Sequence, residues 1–125
     1  MSSLILIVDD NADILLNLKI ILESNNYEVI SAKNGKDAIK ILGELNQLPE
    51  LVISDIMMPE MNGYELFEAV SKHPRWSSVS FIFLSAYSPE KDVIISKKIN
   101  QNDIIYKPFK EDELLKIIDE KIIMK

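Results

Sequence analysis

The chain contains no cysteine, which excludes a disulfide framework and thiolate chemistry. It has no basic stretch, and its net charge is −6 over 125 residues. An acidic surface of this kind argues against direct binding to nucleic acid or anionic lipid. No apolar run approaches the ~20 residues of a membrane-spanning helix. Met1-Ser2-Ser3 carries no positive charge, and the apolar run after it is too short for a secretory signal. There is no internal repeat, low-complexity tract or linker. These absences predict one domain over residues 1–125, without membrane insertion, an attached DNA-binding module or any other output domain, and a cytoplasmic location. Apolar residues make up 47% of the chain, enough for a core.

Apolar runs of about five residues alternate with longer helical patterns. Strands are predicted at Leu4–Val8, Tyr27–Ser31, Leu51–Ser54, Val79–Leu84 and Asp103–Tyr106. The first helix spans Ala12–Ser24 and is ended by Asn25-Asn26. The second follows Asn34-Gly35. The third starts near Gly63, with Asn62 as N-cap and Glu65 reaching back to it. The fourth begins at Ser88-Pro89, and the fifth fills Glu111–Ile123. Strands apolar on both faces belong to a parallel sheet covered by helices on each side. Five such strand–helix units predict a doubly wound α/β fold with a five-stranded parallel sheet.

Chemistry-bearing residues stand at the strand ends. Asp9-Asp10 follows the first strand, Asp55 the third, Ser85 the fourth, and Lys107-Pro108 the fifth. The carboxyl ends of strands are where open α/β sheets bind ligands. Three ionised carboxylates against one ammonium repel each other, and a divalent cation relieves that repulsion. Oxygen donors without His or Cys nearby favour Mg²⁺, or Mn²⁺, over zinc. One carboxylate then serves as nucleophile on phosphorus, while the cation, Lys107 and Ser85 take the equatorial oxygens. Asp55 is alone on its strand and is the best nucleophile; Asp9 and Asp10 suit metal capture.

The strings Val8-Asp9-Asp10-Asn11, Asp55-Ile56-Met57-Met58-Pro59-Glu60-Met61-Asn62-Gly63, Leu84-Ser85-Ala86 and Lys107-Pro108-Phe109 resemble, in order and spacing, the receiver domain of two-component response regulators. Each string alone is weak, but four in register are specific. The resemblance spans the whole chain. It implies the flavodoxin-like strand order 2-1-3-4-5 and Asp55 as phosphoacceptor. Asp10 would bind Mg²⁺ directly, Asp9 mainly through water, and Met57 through its backbone carbonyl. Ser85 and Lys107 would grip the phosphoryl oxygens, and the Lys107–Pro108 bond would be cis. The donor would be a sensor histidine kinase or histidine phosphotransfer protein. Output would be protein contact through the fourth helix, fifth strand and fifth helix. The chain would catalyse only its own phosphotransfer and dephosphorylation.

Two other readings use the same residues. An aspartate-nucleophile Mg²⁺ phosphatase of the haloacid dehalogenase type would place its nucleophile after the first strand in an Asp-x-Asp string, unlike Asp9-Asp10-Asn11, and would normally add a cap. A receiver that binds partners without phosphorylation would not need Asp55, Asp10 and Lys107 intact. Some positions depart from the family. Ile104 stands where it usually has Tyr or Phe, with Tyr106 on the same strand face. Asn100 replaces the usual glycine after the fourth helix, and Lys110 the usual acidic cap of the fifth. Met57 and Tyr87 stand where the family tends to tune phosphoryl lifetime. With no ring at Ile104 to swing, phosphorylation is expected to move Ser85 and Ala86-Tyr87-Ser88 more than the fifth strand. His73, before Pro74, reads as a solvated loop residue and Trp76 as cover for a loop edge. The five methionines form no cofactor box. The first helix, apolar at Ile14, Leu15, Leu16, Leu18, Ile20, Ile21 and Leu22, is broader than one core stripe.

Overall fold

The computed structural model describes residues 3–86 and 99–123. Five strands, β1 (Leu4–Val8), β2 (Glu28–Ala32), β3 (Leu51–Asp55), β4 (Ser80–Ala86) and β5 (Ile104–Lys107), pair in parallel in the order β2-β1-β3-β4-β5. Among the described residues four helices are present: α1 (Ala12–Ser24), α2 (Gly35–Glu44), α3 (Gly63–Lys72) and α4 (Glu111–Ile123). The helix expected to begin at Ser88-Pro89 lies outside the described residues, as does Tyr87, so α4 is the expected fifth helix.

The sheet separates two apolar layers, and strand alternation assigns residues to them. Leu6, Val8, Val52, Phe81, Phe83 and Ile104 face the α2 and α3 side, with Ala38, Leu42, Leu66 and Val70. Ile5, Ile7, Ile53, Ile82, Leu84 and Ile105 face the α1 and α4 side, with Leu18, Leu22, Leu114 and Ile118. Each fully buried aliphatic side chain contributes roughly 1.5–3 kcal/mol by leaving water. Every residue of β1 and β3 is buried, as expected of strands covered on both faces. The edge strand β2 is only partly buried.

Local signals set the helix ends. Asn11 caps α1, its side chain accepting from the backbone of Asp13 at 2.9 Å and Ile14 at 3.2 Å. Asn25 is the C-cap, and Asn26 takes the left-handed conformation (φ 69°), which asparagine tolerates better than most residues. Asn62 and Glu65 form a reciprocal capping box on α3.

Several boundaries differ from expectation. β2 begins at Glu28, because the Tyr27 N–H bonds the Leu22 carbonyl and its hydroxyl bonds Asp119 at 2.7 Å. β5 begins at Ile104, because Gln101–Asp103 forms a 3₁₀ turn. β3 includes Asp55 and β4 runs on to Ala86, since their pairing with neighbouring strands continues that far. Trp76 is buried in the core rather than covering an edge, and His73 stacks on it at 3.8 Å. His73 is therefore half-buried and not a freely solvated residue.

Candidate functional site

Parallel pairing brings four strand ends to one edge. Asp55 is the last residue of β3, Ser85 lies near the end of β4, and Lys107 ends β5. Asp9 extends β1 by one rung, its N–H bonding the Ala32 carbonyl at 3.2 Å. That rung turns its side chain inward, while Asp10 is turned out to solvent. One carboxylate oxygen from each of Asp9, Asp10 and Asp55 lies within 4.8 Å of the others.

Lys107 Nζ enters this cluster, 3.1 Å from Asp9 Oδ2 and 3.4 Å from Asp55 Oδ1. Asp9 is fully buried, so its charge needs these partners. Its other oxygen accepts from the Asn11 N–H at 2.9 Å. Burial drives the Asp55 carboxyl upward, the Asp9 charge adds to that, and Lys107 opposes both; the result is a pKa pushed up to about 6. Ser85 is buried, and its hydroxyl donates to the Ala86 carbonyl at 3.2 Å. The Lys107–Pro108 peptide is cis, as the resemblance implied.

Five expected site residues, Asp9, Asp10, Asp55, Ser85 and Lys107, thus gather at one sheet edge. Met57, the sixth, follows in the loop after β3 with its side chain exposed. The donor set fits a hard divalent cation: carboxylate oxygens, no His or Cys among them, and mutual repulsion that a cation would relieve. Two contributors were not assigned from the sequence. Asn11 orients Asp9 through its N–H and caps α1 through its side chain; an Asp-Asp-Asn string directly before a helix carries that signal. Gly63 sits so near the Asp55 carbonyl that a Cβ there would collide with that oxygen and lie 3.1 Å from Ile56 Cα.

Ile104 is buried, and Tyr106 is 42% exposed. The strand face they share therefore carries an aliphatic side chain inside and an aromatic one at the surface.

Residues 5–119 match the response regulator receiver domain family. The chain is similar to Protein PilH of Pseudomonas aeruginosa, 31% identical over 92% of this chain and 93% of that protein. Among solved structures it resembles the signal receiver domain of a signal transduction histidine kinase from Syntrophus aciditrophicus, 32% identical, with TM-score 0.89 over 98% of this chain and 92% of that one. It also resembles the chemotaxis response regulator CheY4 of Vibrio cholerae, 28% identical, with TM-score 0.82 over 97% of this chain and 99% of that one.

Proposed function

The chain belongs to the response regulator receiver domain family, and we propose that it accepts a phosphoryl group on Asp55 from a phosphohistidine and signals through contact with another protein. The observation that carries this reading is the Lys107 ammonium within 3.4 Å of both Asp9 and Asp55, whose carboxylates cluster with that of the exposed Asp10 at the carboxyl edge of the sheet.

In this reading Asp10, Asp55 and the backbone carbonyl of Met57 would hold Mg²⁺, with Asp9 acting mainly through water and Mn²⁺ an alternative. The cation supplies charge neutralisation to the carboxylates and to a phosphoryl oxygen. Asp55 must be ionised to attack, and with a pKa of about 6 it is largely so at neutral pH. One Asp55 carboxylate oxygen bonds to phosphorus as the donor's P–N bond breaks, and that electron pair stays on the imidazole nitrogen. Attack in line with the leaving nitrogen leaves three equatorial oxygens whose charge must be met. Lys107 takes one of them, giving up part of its contact with Asp55. The Ser85 hydroxyl takes another after turning away from the Ala86 carbonyl. Asp9, held by the Asn11 N–H, keeps the lysine aimed into the site. Water attack on phosphorus breaks its bond to the Asp55 oxygen, releases inorganic phosphate and returns the free carboxylate; in this reading the domain catalyses its own phosphorylation and dephosphorylation and no other reaction.

The proposed phosphodonor is a sensor histidine kinase or a histidine phosphotransfer protein. The proposed output surface combines the expected fourth helix with β5 and α4, and its location in the cell is the cytoplasm. Incubation with Mg²⁺ and acetyl phosphate, read by intact mass, tests the chemistry. The wild type should gain one phosphate, whereas Asp55→Asn and EDTA-treated protein should gain none. Undiminished labelling of Asp55→Asn would refute the assignment.

A further inference from the structure

We propose that Ser54 is a positioning residue for the phosphorylation site, holding the backbone at Asp55 through its buried hydroxyl. The inference rests on the reading of Asp55 and the following loop as the phosphoryl- and metal-binding centre.

Ser54 is fully buried on a strand whose preceding residues, Leu51, Val52 and Ile53, are aliphatic. A buried hydroxyl is unfavourable unless it is hydrogen-bonded, and an aliphatic residue would fill the position without that penalty. The Ser54 hydroxyl donates to the Asp55 carbonyl at 3.0 Å. That carbonyl lies where the strand ends and the chain turns into the loop. The next amide, Ile56 N–H, still bonds across to the Leu84 carbonyl at 2.9 Å, and the Ile56 carbonyl accepts from Gly63 N–H at 2.8 Å.

Gly63, the first residue of α3, closes the same peptide from another direction. A Cβ there would collide with the Asp55 oxygen and lie 3.1 Å from the Asp55 carbonyl carbon. The Asp55–Ile56 peptide is therefore fixed by the Ser54 hydroxyl, by β4 through Ile56, and by the start of α3.

Two site elements grow from that peptide. One is the Asp55 side chain, which must stay within reach of Lys107 and the other carboxylates. The other is the chain direction through Ile56 to Met57, whose carbonyl is a proposed oxygen donor to the cation. Loss of the Ser54 hydrogen bond leaves the Asp55 carbonyl freer to rotate, which loosens both.

The test compares Ser54→Ala, Ser54→Thr and Ser54→Cys with the wild type. Mg²⁺ affinity is titrated by amide NMR shifts without any phosphodonor, and folding is followed by circular dichroism. Ser54→Ala should fold and bind Mg²⁺ about three- to tenfold more weakly, the size of effect one hydrogen bond carries. Ser54→Thr, which keeps the hydroxyl, should stay within about twofold of wild type, since the donor is unchanged. If Ser54→Ala does not fold, Ser54→Cys, with a weaker donor of similar size, makes the same comparison. Wild-type Mg²⁺ affinity in a folded Ala or Cys variant overturns the proposal. Failure of the wild type to bind Mg²⁺ or take up phosphate would instead overturn the assignment of the site.

Discussion

Lys107 Nζ and Asp55 Oδ1, from strands β5 and β3 and 52 positions apart in the chain, meet at 3.4 Å, with β4 lying between their strands. The ammonium also pairs with the fully buried Asp9 at 3.1 Å. One cation thus serves two carboxylates that would otherwise repel each other across the sheet edge.

Replacing that cation separates folding from metal capture. Lys107→Ala leaves Asp9 buried without its ammonium, which should cost about 2–4 kcal/mol at pH 7 without metal. The same change makes the pocket more negative, so Mg²⁺ should bind several-fold more tightly. Chemical denaturation in EDTA and Mg²⁺ titration check the two halves. Weaker Mg²⁺ binding in the variant would contradict the charge argument.

Asp55→Asn should stabilise the metal-free protein by an amount that grows as pH rises from about 4 to about 6 and is complete above that. The folded pKa, about 6, lies above the ordinary carboxylate value, so the folded state holds the proton more tightly than the unfolded state. Stability is then highest below the unfolded pKa and falls as pH rises through about 6. The variant should be clearly more stable than the wild type at pH 8, and most of that gain should be gone at pH 4. Denaturation of both proteins in EDTA at the two pH values measures the difference. A gain independent of pH would refute it.

Mg²⁺ affinity should follow the same titration. Below about pH 6 a proton competes for Asp55, so affinity should rise with pH up to that point and then level off. Titrations between pH 5 and 8 at constant ionic strength test this. A flat profile would mean that Asp55 does not share the cation.

The glycines give a paired stability test. Gly43, near the end of α2, has nothing within 4 Å of an added Cβ, so Gly43→Ala should stabilise by about 0.5–1 kcal/mol. Gly63→Ala drives a methyl into the Asp55 carbonyl and should cost about 1–3 kcal/mol. Thermal melts decide it, and equal shifts for both variants would show that the contact at Gly63 gives way freely.

The breadth of the apolar surface on α1 is also testable. Leu16 and Ile20 are 58% and 56% exposed, while Leu18 is fully buried. Leu16→Gln and Ile20→Gln should each change stability by less than about 0.5 kcal/mol, whereas Leu18→Ala should cost about 2–5 kcal/mol. Denaturant midpoints give the comparison, and a large loss at Leu16 or Ile20 would place them in the core.

By itself the sequence determined the α/β alternation, the parallel sheet and the list of residues at its carboxyl edge. Such patterns are local: five-residue apolar runs, capping residues such as Asn62 with Glu65, and polar residues where each run stops. Strand ends were less legible, because a strand lasts as long as its neighbour pairs with it. For that reason β3 reaches Asp55 and β4 reaches Ala86, while Tyr27 leaves β2 to tie its hydroxyl to Asp119. Side-chain apolarity could not tell Leu16 from Leu18, since both suit a buried helix and only the packing of α1 on the sheet exposes one of them. Nor could the string Asp9-Asp10 say which carboxylate is buried. The tertiary structure decided that by continuing β1 for one rung through the Asp9 N–H to Ala32, which turns Asp9 inward to Lys107 and Asp10 outward to solvent.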